Sequence, residues 1–148
     1  MTTTAPAADA RALGLAHYAA RAVLESVLDR HGATFQQQIT LRLVVVAGQP
    51  VEGEALVTQV VGALKVGPTE ARGVITELGA KGLITVDESD VVRVTDAGRD
   101  FYTRVSAETG EISARIWGGI PAEDLAAAGR VLATVTERAD AELAALSG

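Results

Sequence analysis

Two short stretches of this chain hold side chains able to do directed chemistry. The first is Thr69, Glu70, Arg72, Gly73 and Thr76, between Pro68 and Lys81. A guanidinium presents a planar fork to paired acceptors, a threonine hydroxyl donates or accepts, and a carboxylate accepts from an amino group. The second is Arg11, His17, Tyr18 and Arg21. There, arginine suits a carboxylate, and histidine a phenol or a carboxylate. His17 and Arg21 are four apart and share a helical face, whereas Arg11 and His17, six apart, do not. Each set has a plainer reading: Glu70 and Arg72 as solvated helix charges, His17 and Tyr18 as interface residues with a satisfied polar tip.

Most catalytic chemistry is unsupported by the composition. There is no cysteine and only two histidines, so disulfides, thiolate metal sites and cysteine-based sensing are excluded. No Gly-x-Ser-x-Gly, no acid–histidine spacing for a metal and no phosphate loop occurs. A non-enzyme without metal or cofactor is expected. His31, beside Gly32, sits where a helix end favours positive charge.

The elements that must position these groups follow from periodicity. Leu13, Ala16, Ala20, Val23, Leu24, Val27 and Leu28 recur at helical steps and predict an amphipathic helix over 8–31, stopped by Gly32. Two more helices are expected at 96–117 and 122–147, the latter with Leu125, Ala128, Leu132, Val135, Ala139, Leu143 and Leu146 on one seam. Pro121, Glu123 and Asp124 suit its start. Between them, helices are predicted over 34–47, 53–65 and 68–81, with Pro68 in a first turn and Gly82 at a helix end. Leu83 to Val86 and Val91 to Val94 then form a hairpin around the tip Asp87-Glu88-Ser89-Asp90. The fold class is therefore mainly α with a small β hairpin. Two helices in close succession followed by a hairpin form a winged helix-turn-helix over 34–98. Helices at 8–31 and 99–147 flank it within a single 1–148 unit. Their apolar seams exceed what one small domain covers, which predicts a homodimer.

Apolar residues make up 48% of the 148 residues and aromatic ones 3%, so the core must be aliphatic and helical. Met1 to Asp9 lacks the basic and apolar regions of a signal peptide, and no apolar stretch approaches membrane-spanning length. A cytoplasmic address is expected. The formal net charge is -6, and residues 34–100 hold six basic against nine acidic side chains, a net of -3. Binding to a polyanion must therefore rest on a local patch, doubled by the dimer.

On a helix-turn-helix, the second helix presents its N-terminal half to the major groove of double-stranded DNA. Arg72 could then bond two acceptors on guanine, Thr69 a base edge or phosphate, and Glu70 the amino group of cytosine. Arg42, Lys65 and Lys81 are candidate phosphate contacts, which position without specifying. Lys81 has the alternative of complementing a helix C-terminus.

Several runs resemble the MarR family of transcription regulators over about residues 10–146. Thr34-Phe35-Gln36-Gln37 with Leu41-Arg42 is similar to the family's Thr-x-x-Gln…Leu-Arg opening. Thr58 to Leu64 and Val66-Gly67-Pro68 take the place of the third helix and the turn after it. Leu78-Gly79-Ala80-Lys81-Gly82-Leu83-Ile84 resembles Leu-x-x-basic-Gly-Leu-Val, and Val94-Thr95-Asp96-Ala97-Gly98 resembles Leu-Thr-acid-Ala-Gly. The hairpin departs from the pattern: it is shorter, lacks the family's Asp-x-Arg, and has Arg93 as its only arginine. The resemblance implies a homodimeric DNA-binding regulator, a ligand-responsive repressor acting on an inverted repeat. It further implies a small aromatic or phenolic acid held by Arg11, His17, Tyr18 and Arg21 with Trp117. The competing expectation is a dimeric winged-helix interaction scaffold with little or no DNA binding, which the acidic middle block and short wing would allow.

Overall fold

Helix ends are written plainly into this chain. In the computed structural model, which describes residues 7–148, Asp9 accepts the backbone N–H of Ala12 at 2.8 Å and opens α1 (Ala10–His31). The N-terminal reading that excluded a signal peptide falls largely on residues 1–6, outside the described residues. Gly32, left-handed at φ 72°, ends α1 and returns its N–H to Asp29. Thr34 and Gln37 then form a reciprocal capping box at the start of α2 (Phe35–Ala47). Next come β1 (Val51–Glu52), α3 (Gly53–Leu64), α4 (Pro68–Ala80), β2 (Ile84–Val86), β3 (Val91–Val94), α5 (Asp96–Trp117) and α6 (Ala122–Ser147).

The fold class is as expected from the sequence, mainly helical with a winged helix-turn-helix, with one addition. The sheet among the described residues has three antiparallel strands in the order β1-β3-β2, not two. Val51 pairs with Val92, and Ile84 with Val94. Two residues of β1 carry no alternation that a sequence pattern can detect.

Residues 111–148 form a compact unit apart from the rest. The first unit is organised by one aliphatic core. Leu28, Leu41, Leu56, Val60, Leu78, Ile84, Val92, Phe101 and Val105 are buried in it, each large side chain contributing about 1.5–3 kcal/mol by leaving water. Of the apolar seam on α1, only Val27 and Leu28 are fully buried; Leu13 and Val23 remain exposed. A second tie holds the end of α1: His31 Nε2 lies 2.9 Å from Glu108 Oε2, Arg30 pairs with the same carboxylate, and the His31 ring meets Phe101 edge-on. The hydrogen bond from His31, aided by the charge of Arg30, holds the Glu108 carboxyl below its ordinary range.

The second unit contains the end of α5, a turn at Gly118 and Gly119, and α6. Pro121 precedes α6, and its carbonyl accepts the N–H groups of Asp124 and Leu125. No α6 residue is buried; Leu132 and Val135 are each 42% exposed.

The corner joining α4, β2 and α5 is tight. Leu83 N–H closes the end of α4 on the Leu78 carbonyl, while its own carbonyl accepts from Thr95 N–H at 3.1 Å. Thr95 Oγ1 donates to the Gly82 carbonyl at 2.7 Å and accepts from Gly98 N–H at 3.0 Å. A Cβ on Gly98 would collide with the Leu83 carbonyl and approach Val94 Cγ2 at 2.9 Å. Gly98→Ala should therefore cost about 1–3 kcal/mol in urea denaturation through overpacking. Gly62→Ala, where a Cβ meets nothing within 4 Å, should instead stabilise by about 0.5–1 kcal/mol. Equal effects at the two positions would contradict the close approach at Gly98.

Candidate nucleic-acid interface

The turn between α3 and α4 is three residues long and stiff. Lys65 caps α3 in the left-handed region at φ 57°, its N–H bonded to the Val61 carbonyl at 2.9 Å. Gly67 caps α4, and Pro68 occupies its first turn, where a missing N–H costs nothing. Ala71, Val74, Ile75 and Leu78 face the core. That registry leaves Thr69, Arg72, Gly73 and Thr76 together on the opposite, exposed face, with Glu70 at its flank. All five residues singled out by type are thus brought to solvent on one helix.

Several of these groups have partners that the sequence reading did not supply. Arg72 Nη2 lies 3.2 Å and 3.4 Å from the two carboxylate oxygens of Glu54, in the first turn of α3. Glu70 accepts from Gln36 Nε2 at 2.9 Å. On the hairpin, Arg93 Nη1 meets Asp87 Oδ2 at 2.8 Å. Backbone donation from Val91, then the Arg93 guanidinium, hold the Asp87 carboxyl below its ordinary range. The Arg72 and Glu70 pairs span 18 and 34 residues, whereas Asp87 and Arg93 are six apart across one hairpin, whose register would have pointed to the pair.

The candidate phosphate contacts divide. Arg42 is exposed on α2 and makes no hydrogen bond or ion pair with a described residue. Lys65 is exposed at its cap. Lys81 is placed differently: its ammonium donates to the Gly32 carbonyl and, at 2.9 Å, to Gln37 Oε1. Gln37 in turn donates to Glu77 at 3.0 Å. Lys81 therefore joins the end of α1 to the start of α2 and the end of α4. Its bonds reach the end of α1 and the start of α2, beyond the simple complement to its own helix, while its side chain stays exposed.

A groove of about 640 Å³ runs between α4 and the sheet. Val57, Ile75 and Val92 contribute apolar lining; Thr76 and Gly79 line the α4 side. Its charged lining residues are Arg72, Glu54 and Asp90, so the cation is outnumbered.

The second candidate set is only partly gathered. Arg11, His17 and Tyr18 are exposed on α1, with the His17 and Tyr18 ring centroids 6.0 Å apart. Arg21 is already engaged, bonded to Glu25 at 3.1 Å with its guanidinium 4.2 Å from the Phe35 ring centre. Trp117 lies in the second unit and is exposed.

No family model matches the sequence, and no curated protein matches it either. Solved structures do. A MarR-family transcriptional regulator from a Rhodococcus species is 20% identical, with a TM-score of 0.70 over 84% of this chain and 90% of its own. CouR from Rhodococcus jostii, bound to p-coumaroyl-CoA, is 20% identical with a TM-score of 0.71, covering 84% and 88%. NadR in complex with 4-hydroxyphenylacetate is 22% identical with a TM-score of 0.70, covering 87% and 95%. The chain has the fold of MarR-family transcriptional regulators. No described helix is long and apolar enough to cross a membrane.

Proposed function

We propose that this chain, built on the MarR-type fold, is a cytoplasmic, homodimeric DNA-binding regulator and not an enzyme. The observation that carries the reading is the α4 face. Ala71, Val74, Ile75 and Leu78 anchor the helix, and Thr69, Arg72, Gly73 and Thr76 are left exposed together. Side chains at the start of such a helix meet base edges in the major groove. Arg42 and Lys65 are the phosphate contacts of this reading, and Arg93 contributes from the wing. Repression relieved by a ligand is the proposed mode.

Dimer formation is supported by exposed apolar groups in each unit separately: Leu13 and Val23 on α1, and Leu132, Val135 and Leu143 on α6. Sedimentation at micromolar concentration should give twice the 15.2 kDa chain mass. Leu132→Asp should shift the chain toward monomer, because association would bury an unpaired charge. A folded parent monomer at that concentration would overturn the arrangement.

On DNA, the dimer should select an inverted repeat with half-sites about 10 bp apart. Arg72→Ala should cost about 1–3 kcal/mol and relax preference at one base position per half-site. Uniform weakening on all sequences would reduce Arg72 to a phosphate contact. The scaffold reading is favoured by one observation, the pairing of Arg72 and Arg93 with carboxylates. Failure to bind any duplex at low salt would leave it standing.

The p-coumaroyl-CoA of CouR and the 4-hydroxyphenylacetate of NadR support a phenolic or aromatic acid as the effector. Arg11, His17, Tyr18 and Arg21, all on α1, are its proposed partners. A ligand shifts the DNA equilibrium only by its preference for one arrangement of the winged units. Calorimetry across benzoates and phenols should find a binder whose effect on DNA affinity vanishes in Arg11→Ala and His17→Ala. Unchanged responses in both variants would place the pocket elsewhere.

A further inference from the structure

The Arg72–Glu54 pair sits at the one point where base reading is expected, yet its two halves come from different helices. Glu54 belongs to the first turn of α3, where the helix terminus favours a carboxylate. Arg72 belongs to the exposed face of α4. The side chains are 53% and 65% exposed for Arg72 and Glu54, so both meet solvent and an approaching duplex.

The contact geometry limits what Arg72 can do. A guanidinium offers two forks, Nη1 with Nη2 and Nε with Nη2, and Nη2 belongs to both. Both Glu54 oxygens approach that shared nitrogen, at 3.2 Å and 3.4 Å. Nη1 and Nε have no partner among the described residues. Two-point bonding to guanine O6 and N7 needs one complete fork, so a guanine edge must first displace Glu54 from Nη2. A phosphate, by contrast, is drawn mainly by net charge, which the adjacent carboxylate cancels to first order. The other acid lining this groove, Asp90, adds to the same repulsion.

We infer that Glu54 is a specificity-determining residue of the DNA interface, suppressing the attraction of Arg72 to phosphates more than its two-point bonding to a base. The inference rests on the DNA-binding reading above. An exposed ion pair is weak, worth at most about fivefold in an equilibrium constant, so a well-placed guanine edge displaces it. A phosphate can take the same fork, but one that no base contact holds in register also meets the repulsion of Glu54 and gains less by displacing it.

The test compares Glu54→Gln with the parent on two duplexes. One is the sequence that the parent enriches most from a random pool; the other is a scrambled duplex of equal length and composition. Anisotropy titrations between 50 and 200 mM salt, a range over which phosphate contacts report strongly, give affinities and salt slopes. At 50 mM salt Glu54→Gln should tighten the scrambled duplex by up to about fivefold per subunit and the selected one by less than about twofold per subunit, lowering the ratio between them. Its salt slope on the scrambled duplex should steepen by about one per subunit. In an Arg72→Ala background the same change should do almost nothing, since the two residues act as a pair. Equal tightening on both duplexes, or tightening that survives without Arg72, would overturn the inference in favour of a general charge effect. If the parent enriches a sequence but Glu54→Gln changes neither duplex, the DNA reading stands and the role of Glu54 falls. If the parent enriches nothing at low salt, the DNA reading fails and this inference with it.

Discussion

The close approach of Gly98 to the Leu83 carbonyl, which leaves no room for a Cβ, is the constraint at the junction of α4, the hairpin and α5. At that corner α4 ends, the hairpin begins and α5 starts. Four backbone groups, the Leu83 and Gly82 carbonyls and the Thr95 and Gly98 N–H groups, are satisfied there together with one hydroxyl. Thr95 serves both sides, donating to the Gly82 carbonyl and accepting from Gly98. Because a side chain at position 98 has no space, the start of α5 can lie directly on the hairpin strand. Phe101 and Val105, one and two turns further on, consequently reach the aliphatic core. The same corner therefore sets both the position of the wing and the depth at which α5 is buried.

Charge in the first unit follows a different logic from its core. Lys81 is bonded to a carbonyl and an amide oxygen, and Glu108 gathers Arg30 and His31 at the end of α1. These contacts link elements that are remote in sequence, and their hydrogen bonds outlast the screening that weakens a bare surface pair. On the α4 and hairpin faces the pairs are exposed and exchangeable. The chain thus spends some cations on assembly and keeps others where a solvent-side partner can compete for them. Arg42 belongs to neither group.

Much of this was legible in the residues. Thr34 with Gln37, Gly32, Pro68 and Gly82 mark helix ends through backbone requirements that do not depend on distant neighbours, and they fall where expected. The face of α4 was legible for the same reason, since a helical period fixes which residues share a side. What could not be read is whatever depends on tertiary approach. Glu54 and Arg72 are 18 residues apart and Lys81 is 49 from Gly32; nothing local announces either contact. The strand Val51–Glu52 was too short to show alternation and exists because β3 offers it an edge. For His31 the sequence announces only a helix-end charge, whereas its ring is held by Glu108 and Phe101.

The hairpin is fastened at more than its base. Asp90 adopts a left-handed conformation at φ 61°, and its carbonyl accepts the N–H of Gly53 at 2.7 Å, the first residue of α3. With β1 paired to β3 and only three residues between α3 and α4, the wing has no hinge of its own. Hinges are segments that absorb backbone rotation, and packed interiors deform little. The hairpin, α3 and α4 are consequently fastened to one another at the tip of the wing as well as at its base, through Asp90 to Gly53 and through β1 to β3.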